Sequence, residues 1–147
     1  MLEGRIDALR VPETDAPPSG SLWEHTCFEA FISAPDGESY REYNFSPAGQ
    51  WAASEFLHYR EIGHMLEEEN LALPVTSVRH EGRLTLTAEV PPTLLPTSPI
   101  LRLGLAAVIE CEDGNLEYWA VHHPVERPDF HHVDGWTLRL DTRLVTQ

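Results

Sequence analysis

Turn-forming residues punctuate this sequence at short intervals. Pro12–Gly20, Pro35-Asp36-Gly37, Pro47-Ala48-Gly49, Glu81-Gly82, Pro91-Pro92 and Asp113-Gly114-Asn115 each interrupt a hydrophobic stretch. Such spacing suits short strands joined by turns. Leu84, Leu86, Ala88 and Val90 alternate with Thr85, Thr87 and Glu89, the period of a strand with one buried face. Phe28, Ala30 and Ile32 alternate with Cys27, Glu29 and Phe31, and the Pro-Asp-Gly turn leads into Tyr40–Ser46, which predicts a hairpin. A second hairpin is predicted from Leu101–Glu112 through Asp113-Gly114-Asn115 to Leu116–His122. Trp51–Arg60 fits either a helix or a period of two and is taken as a strand, followed by a short helical turn through Ile62–Glu69. The expected fold is all-β: an antiparallel sandwich of jelly-roll or immunoglobulin-like type with one or two short helical turns. The 147 residues suffice for one domain with a core and are too few for two.

The faces of the predicted strands say where a site belongs. In Leu101–Glu112, Leu101, Leu103, Leu105, Ala107, Ile109 and Cys111 form a core face. The other face carries Arg102, Gly104, Ala106, Val108 and Glu110, small at its middle and charged at its ends. In a curved sheet this would leave a trough floored by Gly104 and Ala106. Glu29 and Asn44 lie on the polar faces of their strands and would converge on that trough if the strands are neighbours. Equally, such a face is simply the solvated side of a sandwich.

Charge narrows the partners. Ten basic residues, all arginine, stand against 24 acidic ones for a formal charge of −14. That balance disfavours nucleic acid and anionic membrane surfaces. No apolar stretch approaches the roughly 20 residues that span a bilayer, and Met1–Arg10 lacks the basic start and apolar centre of a secretory signal, so a cytoplasmic location is expected. Cys27 and Cys111 are far apart, in no metal-type spacing, and read as reduced, buried apolar residues.

Three groups of residues could carry chemistry. His122, His123, Asp129, His131 and His132 crowd a Pro-bounded loop and are candidate ligands for a transition metal, although their spacing matches no specific motif. Glu29 and Glu110 could flank a glycosidic bond at a suitable separation. Neither a G-x-S-x-G elbow nor a phosphate-binding glycine loop is present. Trp23, Trp51, Trp119 and Trp136 lie near strand ends or turns. An indole offers flat apolar area to a sugar ring while carboxylate, amide and guanidinium groups meet its hydroxyls, yet at least two of the four should be structural.

Leu22–Ile32 (LWEHTCFEAFI) and Tyr43–Ala52 (YNFSPAGQWA) resemble the bacterial DOMON-like domains related to family 9 carbohydrate-binding modules. Ala106–Glu110, Tyr118-Trp119-Ala120 and Pro128–His131 continue the pattern, which covers about Leu22 to Leu140. The resemblance implies one sandwich domain over residues 1–147 that binds a sugar or haem without catalysis. Relative to that pattern one or two N-terminal strands are lacking, leaving an open sheet edge that a second copy of the chain could cover as a homodimer. Haem would need His122, His123 or His131 as an axial ligand, since Met1 and Met65 are the only methionines. The sequence therefore reads as a non-catalytic domain for a carbohydrate-like small molecule, with Trp23 and Trp119 stacking and Glu29, Asn44 and Arg102 hydrogen-bonding. Two alternatives stay open: a metal- or haem-binding domain or hydrolase using the His122–His132 loop, and a protein-interaction module pairing through its sheet edge.

Overall fold

The computed structural model describes residues 1–13, 21–66 and 73–144. In chain order the described strands are β1 (Leu2–Glu3), β2 (Cys27–Ser33), β3 (Tyr40–Phe45), β4 (Trp51–His58), β5 (Glu61–Met65), β6 (Val75–His80), β7 (Arg83–Ala88), β8 (Ile100–Glu110), β9 (Leu116–Ala120) and β10 (Leu138–Asp141). They form two antiparallel sheets, a small one in the order β1-β7-β6 and a large one in the order β10-β8-β2-β3-β4-β5, with β9 also paired to β8. The fold is an all-β sandwich. Helical structure among the described residues is confined to short 3-10 turns, and no described helix is long and apolar enough to cross a membrane.

The expected hairpins form: β2 pairs β3, and β8 pairs β9 across a turn in which Gly114 takes a φ of 86°, a conformation glycine adopts without a steric penalty. Trp51–His58 is a strand, but the helical turn expected from Ile62 is not there. β5 occupies Glu61–Met65 instead, because Phe56 and Ser54 of β4 take Ile62 and Met65 as antiparallel partners. Cross-strand pairing outweighs the local helical preference of an acidic stretch. Residues 67–69 of that expected turn lie outside the described residues.

The core lies between the sheets. Ala30, Ile32, Tyr43, Phe45, Ala53 and Leu101 from the large sheet pack with Leu73 and Leu94, and Val75, Leu86 and Ala88 close the other side. The buried Tyr43 ring delivers its hydroxyl to the Leu94 carbonyl, and among the described residues no buried side-chain polar atom is left unpaired. Leu105 departs from the expected core face: it is 43% exposed and joins neither described core cluster. Cys27 is buried as expected, whereas Cys111 is only half-buried, and both are free thiols.

Candidate functional site

Strand register decides what shares the outer face of the large sheet. Side chains alternate between faces, so residues paired across strands line the same side. Glu29 pairs with Asn44 on β3 and with Ala106 on β8; Phe31 pairs with Glu42 and Gly104. Glu42 in turn pairs with Ser54, Tyr40 with Phe56, and Val108 with Tyr118. The expected convergence of Glu29 and Asn44 on the β8 polar face is therefore real. The loop between β9 and β10, residues 121–137, folds across this face and divides it into two halves.

The half over Gly104 is filled. Trp136 is 5% exposed, and a Cβ added at Gly104 would lie 2.2 Å from its Cδ1 atom. Phe31 stacks on Trp136 with ring centres 6.0 Å apart, Tyr40 stacks on Phe56 at 5.0 Å, and His131 meets Phe31 and Phe56 edge-on, each at 5.0 Å. The gap left over Gly104 and Ala106 is about 10 Å³, the least a single water needs. The expected trough on the Gly104–Ala106 floor is thus corrected: the missing side chain at Gly104 is a socket for an indole. Trp51 also packs against the core, so two of the four tryptophans are structural.

The other half is open. A recess of about 490 Å³ is lined by Glu29, Glu42, Ser54, Arg60 and His131, with Trp23, Phe56, Tyr118 and Phe130 supplying rings and Ile62, Met65, Val108 and Pro128 apolar walls. Trp23 sits on the 3-10 turn Leu22–Glu24 that precedes β2, and it is 47% exposed. Glu29 is only 5% exposed; no hydrogen bond to its carboxyl is described, and since no solvent-sealed side-chain oxygen among the described residues lacks a partner, the carboxyl opens onto the recess. Burial, reinforced by the neighbouring charge of Glu42, pushes the Glu29 pKa up to about 8. Burial raises that of Glu42 as well, opposed by the amide hydrogen bond from Asn44 at 3.3 Å and by the charge of Arg60.

The loop is latched to the β4–β5 turn at the rim. Arg60 Nη2 donates to Asp129 Oδ1 at 2.8 Å, the Tyr59 hydroxyl donates to Asp129 Oδ2, and the His131 backbone N–H donates to Asp129 Oδ1 at 3.1 Å. Burial works against the Asp129 charge, but the hydrogen bonds from Tyr59 and Arg60 outweigh it and hold the carboxyl below its ordinary pKa. Arg60 has a φ of 56°, alone among the described non-glycine residues in being positive. That costs about 1–2 kcal/mol, offset where the Tyr40 hydroxyl accepts the Arg60 N–H at 3.0 Å. The same hydroxyl is 2.7 Å from His131 Nδ1. Burial and the positive charge of Arg60 hold the His131 pKa down at about 4, so the imidazole is neutral near pH 7.

Of the five residues expected to bind ligand, Trp23 and Glu29 line the recess. Asn44 lies buried beneath it, where its amide donates to Glu42. Arg102 is outside, donating to the Val133 carbonyl at 3.3 Å. Trp119 pairs with Ala107 and so occupies the opposite face of the sheet, 59% exposed in a separate groove with Leu2, Ile6 and Ile109. That groove is larger, about 560 Å³, yet its carboxylates Glu112, Asp113 and Glu117 are exposed and none is forced toward a ligand. Glu110 is ion-paired with Arg10 at 3.4 Å and hydrogen-bonded to His25 at 2.9 Å, so the carboxyl partner of Glu29 is Glu42.

The expected metal loop does not assemble a ligand set. His123 stacks on Phe130, Asp129 is held by Arg60, and His131 is wedged among Phe31, Tyr40 and Phe56, while His122 is exposed. No three His, Cys, Asp or Glu side chains among the described residues come together to hold an ion. Of the side chains considered for haem, His131 is enclosed and the Met65 sulfur accepts the Ser54 hydroxyl at 3.0 Å. Glu42 is the principal residue the sequence reasoning passed over. It stands two residues from Asn44 on the same strand, and the period of two alone could have found it. Comparison with protein-family models, with curated proteins and with solved structures gives no match for this chain.

Proposed function

We propose that this chain is a non-catalytic binding domain whose recess takes one carbohydrate-like small molecule. The observation that carries this reading is the shared recess of Trp23, half-exposed, and Glu29, a buried carboxyl with no described hydrogen-bond partner. A volume of about 490 Å³ falls in the range of small-molecule sites. Ring faces suit the C–H side of a sugar, and Glu29, Glu42, Ser54 and Arg60 offer both acceptors and donors to hydroxyls. The likeness of Leu22–Ile32 and Tyr43–Ala52 to DOMON-like domains points the same way. Two free cysteines suit a reducing compartment, and we place the protein in the cytoplasm.

Calorimetry of Trp23→Ala against a panel of mono- and disaccharides tests the reading. The indole is too exposed to support the fold, so the variant should keep its melting temperature and lose about tenfold or more in affinity. Full affinity in the variant would remove stacking from the account. A second reading, glycoside cleavage, draws on Glu29 holding a proton up to about 8, as a general acid does, beside a second buried carboxyl. Release of nitrophenol from aryl glycosides, lost in Glu29→Gln, would select cleavage over binding.

A further inference from the structure

We propose, resting on the binding reading above, that the ligand carries a protonated amine that seats between the carboxyls of Glu29 and Glu42, with the rings of Trp23, Phe56, Tyr118 and Phe130 around it. Glu29 is 5% exposed with no described hydrogen bond or ion pair, and since no solvent-sealed side-chain oxygen among the described residues lacks a partner, its carboxyl opens onto the recess. Arg60 is committed to Asp129 and Tyr59, and His131 is bonded to Tyr40. Glu42 has one described hydrogen bond, from the neutral amide of Asn44. The recess therefore presents two carboxyls that can exchange a proton for a cation with several N–H donors, which is what an ammonium group brings.

Other occupants match less well. An anion would face two carboxyls and the −14 charge of the chain. Calcium or magnesium wants six or more oxygens, whereas two carboxyls and a serine hydroxyl are set here among aromatic and apolar walls, and no three His, Cys, Asp or Glu side chains among the described residues converge for another ion. Rings around a desolvated cation add a cation–π attraction that a hydroxyl does not gain.

The inference also fixes a proton balance. In the empty recess Glu29 keeps its proton up to about 8, and an incoming ammonium favours its ionised form, so binding releases a proton near neutral pH. The charged and titratable groups lining the recess with Glu29 are Glu42 on β3, Arg60 in the β4–β5 turn, Tyr118 on β9 and His131 in the loop, with Cys27 next to it on β2. His131 is already neutral and Arg60 stays charged, so neither supplies that proton.

Calorimetry with three probes tests this on the full chain: methyl glucoside, methyl 6-amino-6-deoxyglucoside and cyclohexylamine. The amino glucoside should bind at least about tenfold more tightly than methyl glucoside, with the gap closing in Glu29→Gln. Its affinity should also rise by about tenfold from pH 6 to pH 7, with proton release visible as a buffer-dependent heat. Melting of Glu29→Gln checks its fold, and Glu42→Gln provides an independent second variant. Binding of cyclohexylamine and of neither glucoside would uphold the ammonium and overturn the sugar. Equal binding of the two glucosides would overturn the ammonium and leave the sugar reading standing. Binding of none of the three overturns both readings, and displacement of the amino glucoside by Ca²⁺ overturns the ammonium alone.

Discussion

The two halves of the outer sheet face are built on the same strands and end in opposite states. Over Gly104 the face is packed shut by Trp136, Phe31, Tyr40 and Phe56; over Glu29 and Val108 it is open and acidic. Backbone pairing is continuous across both, so the difference arises from what the 121–137 loop lays on them. Where β8 offers no side chain an indole fits, and where β2 and β3 offer the Glu29 and Glu42 carboxyls the face stays open. The recess on this sandwich is thus the part of the face that the loop leaves uncovered, with the packed half serving to hold the loop in place.

Emptying the packed half should break the contrast most severely. Trp136→Ala removes a buried ring stacked on Phe31, and its indole N–H to the Phe130 carbonyl at 3.0 Å, at a cost of about 3–5 kcal/mol. Gly104→Ala attacks the same seat from below, since the new methyl would overlap the indole. Urea melts should show both as destabilised, Trp136→Ala the more. If Gly104→Ala melted like the parent chain, the indole would not be seated on β8.

The open half carries the next effect, which depends on pH. Folded Glu29 holds its proton up to about 8, while the unfolded carboxyl loses it near 4.5. The folded state binds more protons across that window, so stability falls as pH rises through it. His131 works in the other direction: its folded pKa is about 4 against 6.5 unfolded, so stability falls as pH is lowered from 6.5 toward 4. Between about 4.5 and 6.5 the two slopes oppose each other and stability should be nearly level. Glu29→Gln should flatten the alkaline limb and gain roughly 3 kcal/mol at pH 8, and His131→Asn should flatten the acid limb. Melting curves from pH 4 to pH 9 read both. A parent chain as stable at pH 8 as at pH 6 would place Glu29 in contact with water.

These halves were unequally legible in the sequence. The strands were readable because alternation and turn chemistry are local, and Trp51–His58 resolved correctly because its apolar positions also keep a period of two. Glu29 could be assigned to the polar face from its neighbours Phe28 and Ala30. The fate of Gly104 could not, because a missing side chain reads alike whether it floors a trough or receives a ring from a residue 32 positions on. Trp119 was misplaced for a related reason: which face an exposed aromatic occupies depends on the β8–β9 register, and pairing Trp119 with Ala107 reverses it. The histidines are adjacent in sequence but do not converge: His123 lies against Phe130, His131 among Phe31, Tyr40 and Phe56, and His132 beside Asp134.

The boundary between the halves gives the smallest effect. Arg60, Tyr59 and Asp129 tie the loop to the β4–β5 turn, but Arg60 is half-exposed, so the ion pair itself is worth at most about 1 kcal/mol. Arg60→Gly loses the pair and sheds the strain of a side chain at φ 56°, two changes of similar size and opposite sign. Its melting temperature should stay close to that of the parent, while Arg60→Ala, which keeps the strain, should fall about 1 kcal/mol below Arg60→Gly. Both should speed hydrogen exchange at the His131 amide, whose acceptor Asp129 is then less firmly held. Unchanged exchange would mean that the rings of the packed half alone fix the loop, and that the open half owes its shape to them as well.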